Sequence, residues 1–282
     1  VMVEVGTTNR THLSDYEQAI TRQTGALLYV HPSNYKVVGF TKEVSVAELA
    51  DLAKRKGLPL LVDLGSGSFL DAPAGGLARE PSVASILKEG AHVVCFSGDK
   101  LLGGPQSGIL VGRSKWLKRL RSNPLYRALR CDKVTLAILE QTLRTYLDEK
   151  TYFPENLTLR LLERGRVELR QQADDLLGRL SPACRAAASF KLVESTVEAG
   201  SGSLPQVDLP SMALAITRPG TSPSELARRF RLADPPVVGY VHKGQYFIDL
   251  KAIPPEQNDL LIQCMEAVLV STAGDAAEGA KE

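Results

Sequence analysis

The stretch at residues 93–105 constrains the fold more than any other part of the chain. Its first part, Val93–Phe96, is apolar and rich in β-branched residues, which predicts a buried strand. The run breaks at Ser97, and the loop that follows presents Lys100 just before a Gly-Gly-Pro turn. A lysine at the edge of an apolar core is partly desolvated, which favours a free amine able to condense with an aldehyde. The alternative is a solvated loop lysine, since Ser-x-x-Lys is a short pattern.

A second strand-like run, Leu58–Val62, ends in the carboxylate of Asp63 and is followed by a loop of glycine and serine. Two strands of one sheet that end in Asp63 and Lys100 meet the requirement of pyridoxal phosphate chemistry. In that chemistry a lysine holds the aldehyde while a carboxylate keeps the pyridine nitrogen protonated. Ser97 is placed to donate to the phosphate. The alternative for Asp63 is a simple strand-end cap.

Strands and helices alternate through the first 112 residues. Pairs of Ser and Glu three residues apart predict capped helices over 14–23 and from Ser45 to the C-cap Gly57, and a third helix is predicted over 81–89. Strands are predicted at 26–30, 58–63, 93–97 and 107–112. This alternation favours a parallel, doubly wound α/β sheet with helices on both faces and a site at the carboxyl ends of the strands.

The pattern of hydrophobic residues changes further along the chain. Residues 114–180 have a helical pattern, and strand-like runs then recur at 190–193, 212–216 and 245–250, with a capped helix starting at Ser222. We predict a large cofactor-binding domain at 1–150, a connecting helix at 151–182, a small α+β domain at 183–272 and a disordered tail at 273–282. Because Val1 already lies in a strand-like run, we expect a fragment whose large domain is incomplete at its N-terminus.

Composition excludes several classes of protein. Hydrophobic residues at 44% and charged residues at 23% are typical of a soluble globular chain, with no apolar run of membrane-spanning length and no signal segment. The four cysteines form no Cys-x-x-Cys pair, which argues against a zinc site or a disulfide framework and fits a reducing cytoplasm. The four histidines are isolated, so no metal site is predicted.

One local charge cluster stands out against the net charge of +2. Asp132 is the single acidic residue among eight basic ones, which are Arg113, Lys115, Lys118, Arg119, Arg121, Arg127, Arg130 and Lys133. Such a run is either a solvated helix face or a contact for phosphate or nucleic acid.

Five motifs together resemble bacterial selenocysteine synthases, the L-seryl-tRNA(Sec) selenium transferases. They lie at residues 4–11 (EVGTTNRT), 63–67 (DLGSG), 96–106 (FSGDKLLGGPQ), 127–133 (RALRCDK) and 235–239 (PPVVG). The resemblance runs from Val1 to about Ser271. It implies a fold-type I pyridoxal-phosphate-dependent transferase, similar to aspartate aminotransferase, that lacks the family's tRNA-recognising N-terminal domain.

The resemblance also implies roles for individual residues. Lys100 is the Schiff-base lysine, Asp99 belongs to its catalytic motif, Asp63 pairs with the pyridine nitrogen and Ser97 contacts the phosphate. An anion site for selenophosphate is implied at three arginines, Arg127, Arg130 and Arg10, where the alternative for the first two is a pair of salt bridges on a predicted helix.

The implied reaction converts seryl-tRNA(Sec) to selenocysteinyl-tRNA(Sec) with selenophosphate, in a cytoplasmic homo-oligomer built as a ring of dimers. One alternative is a related pyridoxal-phosphate lyase that acts on a small amino acid or amino sugar acid. Such a substrate needs a carboxylate-binding arginine in the small domain, whereas this chain has Tyr240 and Lys251 where family members usually have arginine. A second alternative is a non-catalytic RNA-binding or scaffold relative.

Overall fold

The structure, a computed structural model, describes residues 1–32, 37, 39–70, 81–148, 150, 154–199 and 208–270. The chain divides into two compact units. The first comprises Val1–Arg160 and Glu198–Val207, and the second comprises Leu161–Val197 and Asp208–Glu282. The tail predicted at 273–282 lies outside the described residues.

A four-stranded sheet organises the first unit. Its strands, in spatial order, are β1 (Leu27–Val30), β2 (Leu60–Gly65), β3 (Val93–Ser97) and β4 (Gly108–Gly112). The first three are parallel, as predicted, whereas β4 runs antiparallel to β3. Only residues 98–107 separate β3 from β4, and a parallel return requires a crossover of about a dozen residues or more. The α/β class with a parallel-rich sheet is therefore confirmed, with β4 as an antiparallel edge.

Helices lie before and between the first three strands, and further helices follow β4. They are α1 (Leu13–Ala19), α2 (Val46–Lys56), α3 (Val83–Lys88), α4 (Ser114–Arg121), α5 (Pro124–Ala128), α6 (Lys133–Thr145) and α7 (Leu157–Glu163). The apolar residues of α2 and α3 pack with the strands into one core that includes Leu49, Leu52, Leu60, Val62 and Ile86. Burial of these side chains fixes the sheet that carries Asp63 and the residues before Lys100.

The caps show where the sequence patterns succeed and fail. Ser45 and Glu48 form the predicted capping box of α2, and Gly57 ends that helix in the left-handed conformation with φ +67°. The prediction for the first helix, 14–23, is wrong at both ends. Asp15 accepts a hydrogen bond from the His12 backbone N–H at 2.7 Å, so the helix starts earlier than Ser14 and ends at Ala19.

The second unit is α+β. Its antiparallel sheet has the order β5 (Ser189–Val197), β6 (Leu209–Thr217), β8 (Gln245–Asp249) and β7 (Tyr240–His242). One face packs against four helices, α8 (Arg166–Arg179), α9 (Pro182–Ala187), α10 (Pro223–Leu232) and α11 (Asn258–Val270). The strand patterns at 190–193 and 212–216 lie in observed strands, and the pattern at 245–250 matches β8 except at Leu250, which starts a short 3-10 helix. The short strand β7 and the helix α11 were not predicted.

Within the described ranges, no helix combines the length and the apolar character that crossing a bilayer requires.

Candidate active site

Asp63 and Lys100 lie at the carboxyl ends of two adjacent parallel strands. Asp63 is in β2, where it is in register with Cys95 of β3. Lys100 follows the end of β3 by three residues, and both side chains are half-buried. The sequence predicted that these two residues lie at the same edge of one sheet, and the parallel pairing of β2 with β3 brings the two strand ends together at that edge.

The lysine loop, defined here as residues 98–105, is held mainly by its own backbone. Gly98 N–H donates to the Ser107 carbonyl at 2.8 Å, and Gly104 N–H donates to the Gly98 carbonyl at 2.8 Å. Gly103 N–H donates to the Lys100 carbonyl at 2.9 Å. These bonds close a compact turn that fixes the backbone from which Lys100 projects.

Two polar side chains that hydrogen-bond to the lysine loop were not predicted from the sequence. The carbonyl of Leu102, which is fully buried, accepts hydrogen bonds from the Asn156 Nδ2 at 2.8 Å and from the Tyr146 hydroxyl at 3.0 Å. Gly103 has φ +72°, and a Cβ there would overlap the Asn156 amide. Since these partners lie some fifty positions away from the loop in the sequence, no local pattern signals them.

The ammonium group of Lys100 has no carboxylate within ion-pair distance among the described residues. The neighbouring Asp99 is exposed to solvent, and Ser97 is half-buried at the end of β3, in register with Gly108. A lysine that is anchored by its backbone and not neutralised by a fixed carboxylate is available to react with a carbonyl compound.

The carboxylate of Asp63 is held from two sides. Gly65 N–H donates to Asp63 Oδ1 at 3.2 Å. The thiol of Cys95 lies on the other side, in register on the neighbouring strand. The pKa of Cys95 is raised to about 11, first by burial and then by its interaction with Asp63, so the thiol keeps its proton at neutral pH. The strand pairing of Cys95 with Asp63 depends on register, which the sequence pattern does not reveal.

The loop after β2 passes close to β3. Gly67 has φ +68°, and a Cβ at this position would overlap the ring of Phe96. Phe96 is buried and makes an edge-to-face contact with Phe69, with ring centroids 5.6 Å apart. This close approach explains why the residue after Ser66 is glycine, and it brings the Asp63 loop next to the start of the lysine loop.

The two arginines of the predicted anion site are exposed and lie in different local structures. Arg127 lies in the last turn of α5, whereas Arg130 follows the end of that helix, so the prediction that both lie on one helix is wrong. Asp132 then caps the next helix, α6, by accepting from the backbone of Val134 at 2.7 Å. In the described part of the chain neither arginine has an ion-pair partner.

Arg10 belongs to a separate extended segment. Its Nε donates to the Phe40 carbonyl at 3.1 Å, and its backbone forms a β-bridge with Lys42. No hydrogen bond or ion pair between described residues joins Arg10, Arg127 or Arg130 to the lysine loop. Their predicted common role at one anion remains a prediction.

Lys251 has a structural position in the second unit. It is 6% exposed, and its Nζ donates to the backbone carbonyls of Arg164 and Pro210. Burial, together with the charge of Arg164, lowers the pKa of Lys251. Tyr240 stacks on Phe247 with ring centroids 5.3 Å apart. A lysine that is buried and bonded in this way does not present a cation to a substrate carboxylate.

The described residues contain no group of three or more histidine, cysteine or acidic side chains that is arranged to hold a metal ion. The four cysteine thiols are free.

Comparison with known proteins gives the family. Residues 1–254 match the model of the SelA family, described as L-seryl-tRNA selenium transferase. The chain is 42% identical over 265 residues to the L-seryl-tRNA(Sec) selenium transferase of Geobacter sulfurreducens, covering 94% of this chain and 57% of the relative. It is 47% identical over 250 residues to the enzyme of the same name from Nitratidesulfovibrio vulgaris, covering 89% of this chain and 53% of the relative.

Among solved structures, a D-glucosaminate-6-phosphate ammonia-lyase resembles the chain with a TM-score of 0.61 and 18% identity, over 95% of this chain and 63% of that one. At this identity the likeness supports the fold alone, and it agrees with the fold-type I architecture expected from the sequence. The chain spans about half the length of the curated relatives it matches. The match of the family model over residues 1–254 shows that the chain belongs to the L-seryl-tRNA selenium transferase family.

Proposed function

We propose that the chain carries the catalytic lysine and the pyridine-binding carboxylate of an enzyme that converts seryl-tRNA(Sec) to selenocysteinyl-tRNA(Sec). The observation that carries this proposal is the placement of Asp63 and Lys100 at the ends of adjacent parallel strands, in a chain of this family. The relatives named above supply the reaction, which removes the β-hydroxyl of the seryl group as water and replaces it with selenium.

The residues at the strand ends fit pyridoxal phosphate. When bound, this cofactor supplies an aldehyde for an amine and a ring that accepts electrons released at a substrate Cα. The chain supplies an amine at Lys100 that has no ion-pair partner among the described residues, a carboxylate at Asp63 that accepts from the Gly65 N–H, and a hydroxyl at Ser97 for a phosphate. Glycines at 65 and 67 leave two positions of the loop after Asp63 without a side chain.

Lys100 has two tasks in this proposal. Its Nζ would hold the cofactor in the absence of substrate, and once released by the α-amine of the seryl group it would take the Cα proton. Asp63 would face the pyridine nitrogen and favour its protonated form. Asp99, which is exposed, lies next to Lys100 and belongs to its motif.

The test uses absorption spectroscopy of the purified chain after addition of pyridoxal phosphate. The visible band of lysine-bound cofactor should appear, and after borohydride reduction the label should map to Lys100. Lys100→Ala should remove both, whereas the control Lys88→Ala, an exposed lysine on α3, should change neither. A label that maps to a different lysine in the unaltered chain would contradict the assignment.

The arginines Arg127, Arg130 and Arg10 are proposed to bind selenophosphate, because guanidinium groups form strong paired hydrogen bonds with phosphate oxygens. Their exposure and the lack of fixed carboxylate partners in the described residues support this role for Arg127 and Arg130. In the full-length enzyme, Arg127→Ala or Arg130→Ala should weaken selenium transfer while leaving elimination of water from seryl-tRNA largely intact. If both half-reactions fail equally, these arginines hold the tRNA, the cofactor or the fold.

A homo-oligomer, a ring of dimers, and a cytoplasmic location complete the proposal. Several large apolar side chains on the helices next to the site are exposed, among them Leu125, Leu129, Val134 and Ile138, which suits a surface covered by a second subunit. Sedimentation that finds an active monomer of the full-length protein would contradict the oligomer. The small-substrate lyase has less support, since Lys251 is buried and bonded to backbone carbonyls.

A further inference from the structure

A cleft of about 300 Å³ lies at the edge of the first sheet opposite the lysine loop. Leu58 and His92 precede β2 and β3, and Arg113 follows the antiparallel β4, so the cleft lies at the amino ends of the strands whose carboxyl ends carry Asp63 and Lys100. Its lining consists of Ala53, Lys54, Gly57, Leu58, His92, Arg113, Lys115 and Trp116.

The cleft is positively charged. Three of its lining residues are cations, Lys54, Arg113 and Lys115, and none is acidic. Burial and the charge of Arg113 lower the pKa of His92, which favours the neutral ring. His92 Nδ1 accepts from the Leu60 N–H at 3.1 Å, which places the proton of that neutral ring on Nε2 as a further donor.

The positive charge continues along α4. Lys118, Arg119 and Arg121 follow Arg113 and Lys115, and α4 has no acidic residue. None of these five cations has an ion-pair partner within the described part of the chain.

This arrangement is unfavourable for an isolated helix. Like charges at spacings of three and four residues, such as Lys115 with Arg119, destabilise the helix. Lys115, in its first turn, also opposes the helix dipole, whereas Lys118, Arg119 and Arg121 in its last turn are favoured by it. An ordinary solvated helix face mixes both signs of charge, whereas a bound polyanion offsets both of these costs.

We propose that the cleft and the cationic face of α4 bind the phosphate backbone of RNA. The extent of the charge favours RNA over a single small anion, because α4 has eight residues and is about 12 Å long, and duplex nucleic acid carries one phosphate per about 1.7 Å of its axis. This inference rests on the proposed function, since it locates a surface for the RNA part of the substrate. It is separate from the selenophosphate role proposed for Arg127 and Arg130.

The single tryptophan of the chain makes the test specific to this site. Trp116 lines the cleft, its ring contacts His92 edge-to-face at 6.4 Å, and Lys115 Nζ lies 5.2 Å from its centroid. Titration of the whole chain with a short RNA hairpin should change Trp116 fluorescence, and the affinity should fall steeply as salt rises. Inorganic phosphate at the same concentrations should leave the fluorescence unchanged; an equal effect of phosphate would overturn the assignment to RNA.

Charge-neutralising variants test the surface itself. Each phosphate contact contributes about 0.9 to the slope of log affinity against log salt, so two lost contacts make the drop in affinity between 50 and 200 mM salt about twelvefold smaller. We expect this change for Arg113→Gln combined with Lys118→Gln, which removes one cation of the cleft and one of the helix. Lys88→Gln, on the exposed end of α3, is the matched control.

Two outcomes overturn the inference. One is an unchanged salt slope in the double variant, and the other is an equal loss in the Lys88→Gln control. The absorption band of lysine-bound pyridoxal phosphate, recorded on the same samples, separates this inference from the proposed function. A normal band with unaltered RNA binding in the double variant defeats the inference alone, whereas a missing band in the unaltered chain defeats the proposed function alone.

Discussion

Cys95 lies beside Asp63 on the neighbouring strand and keeps its proton at neutral pH, so we predict that its thiol donates to that carboxylate and positions it. Cys95→Ala removes the donor and should weaken the binding of pyridoxal phosphate and shift the absorption maximum of the bound cofactor. Cys95→Ser keeps a donor and should restore both properties. Equilibrium dialysis measures the affinity of each variant for pyridoxal phosphate, and visible spectra measure the absorption maximum of the bound cofactor. Equal behaviour of Ala and Ser would show that Cys95 acts only through packing.

The raised pKa of Cys95 also predicts a pH dependence. Because its pKa of about 11 in the folded chain lies above the ordinary thiol value, Cys95 should react slowly with iodoacetamide at pH 8 and faster as the pH approaches 11. The same shift means that stability is lost as the pH rises from about 9 to about 11, where the unfolded thiol ionises and the folded one resists ionisation. Peptide mapping of alkylated protein measures the rate, and fast labelling of Cys95 at pH 8 would contradict the burial.

At the residue scale, the sequence predicted what local patterns encode. Asp63 and Lys100 each end an apolar run, and parallel strands bring such ends together. Cys95 and Asn156 were missed because their roles depend on strand register and on contacts far apart in the chain. Arg130 was assigned to a helix that ends at Ala128, because the residue pattern does not determine where a short helix ends.

At the scale of elements, the lysine loop depends on one glycine and one amide. Gly103→Ala places a Cβ against Asn156 at a φ of +72°, which should cost about 1–3 kcal/mol of stability. Gly108→Ala, where a Cβ meets open space, is the control with little expected change. Chemical denaturation measures both. Equal stability of the two variants would show that the loop adapts without cost.

Capping patterns predicted α2 well and α1 poorly. In α2 a serine and a glutamate bond reciprocally before an apolar face, and a glycine ends the helix. In α1 the expected glutamate, Glu17, pairs with Arg55 at 2.9 Å instead, while Asp15 forms the cap. Both carboxylates lie within α1, so the pattern alone does not decide which one accepts a hydrogen bond from the backbone N–H of the N-cap residue.

The direction of β4 was also predicted wrongly, since it depends on the length of the loop that connects β3 to β4.

At the scale of the whole molecule, the two units should respond separately to core substitutions. Arg164, which is 3% exposed, donates to the carbonyls of Leu250 at 2.9 Å and Ile253 at 2.7 Å in the second unit. Arg164→Ala removes these two hydrogen bonds together with those to the side chains of Glu168 and Gln172, and should destabilise that unit by roughly 3 kcal/mol. Arg166→Ala removes only an exposed ion pair with Glu194 and should change stability by less than about 1 kcal/mol.

Two optical signals report on this prediction. Trp116 is in the first unit, so the midpoint of its fluorescence transition should be unchanged in Arg164→Ala, while the far-ultraviolet circular dichroism should show an earlier transition. A common shift of both signals would mean that the units unfold together. It would also count against the proposed division of the chain into a large domain at 1–150 and a small one at 183–272.

The reversed direction of β4 has a consequence for how this protein can be altered. Five residues at about 3.4 Å each carry the chain about 17 Å back from the lysine loop before α4 begins. In the two proposals above, the chemistry therefore lies at one end of this hairpin and the binding of RNA at the other. Changes on α4 should adjust the rate of encounter, and changes near Lys100 the rate of turnover, so selection or engineering can act on either rate while the other stays constant.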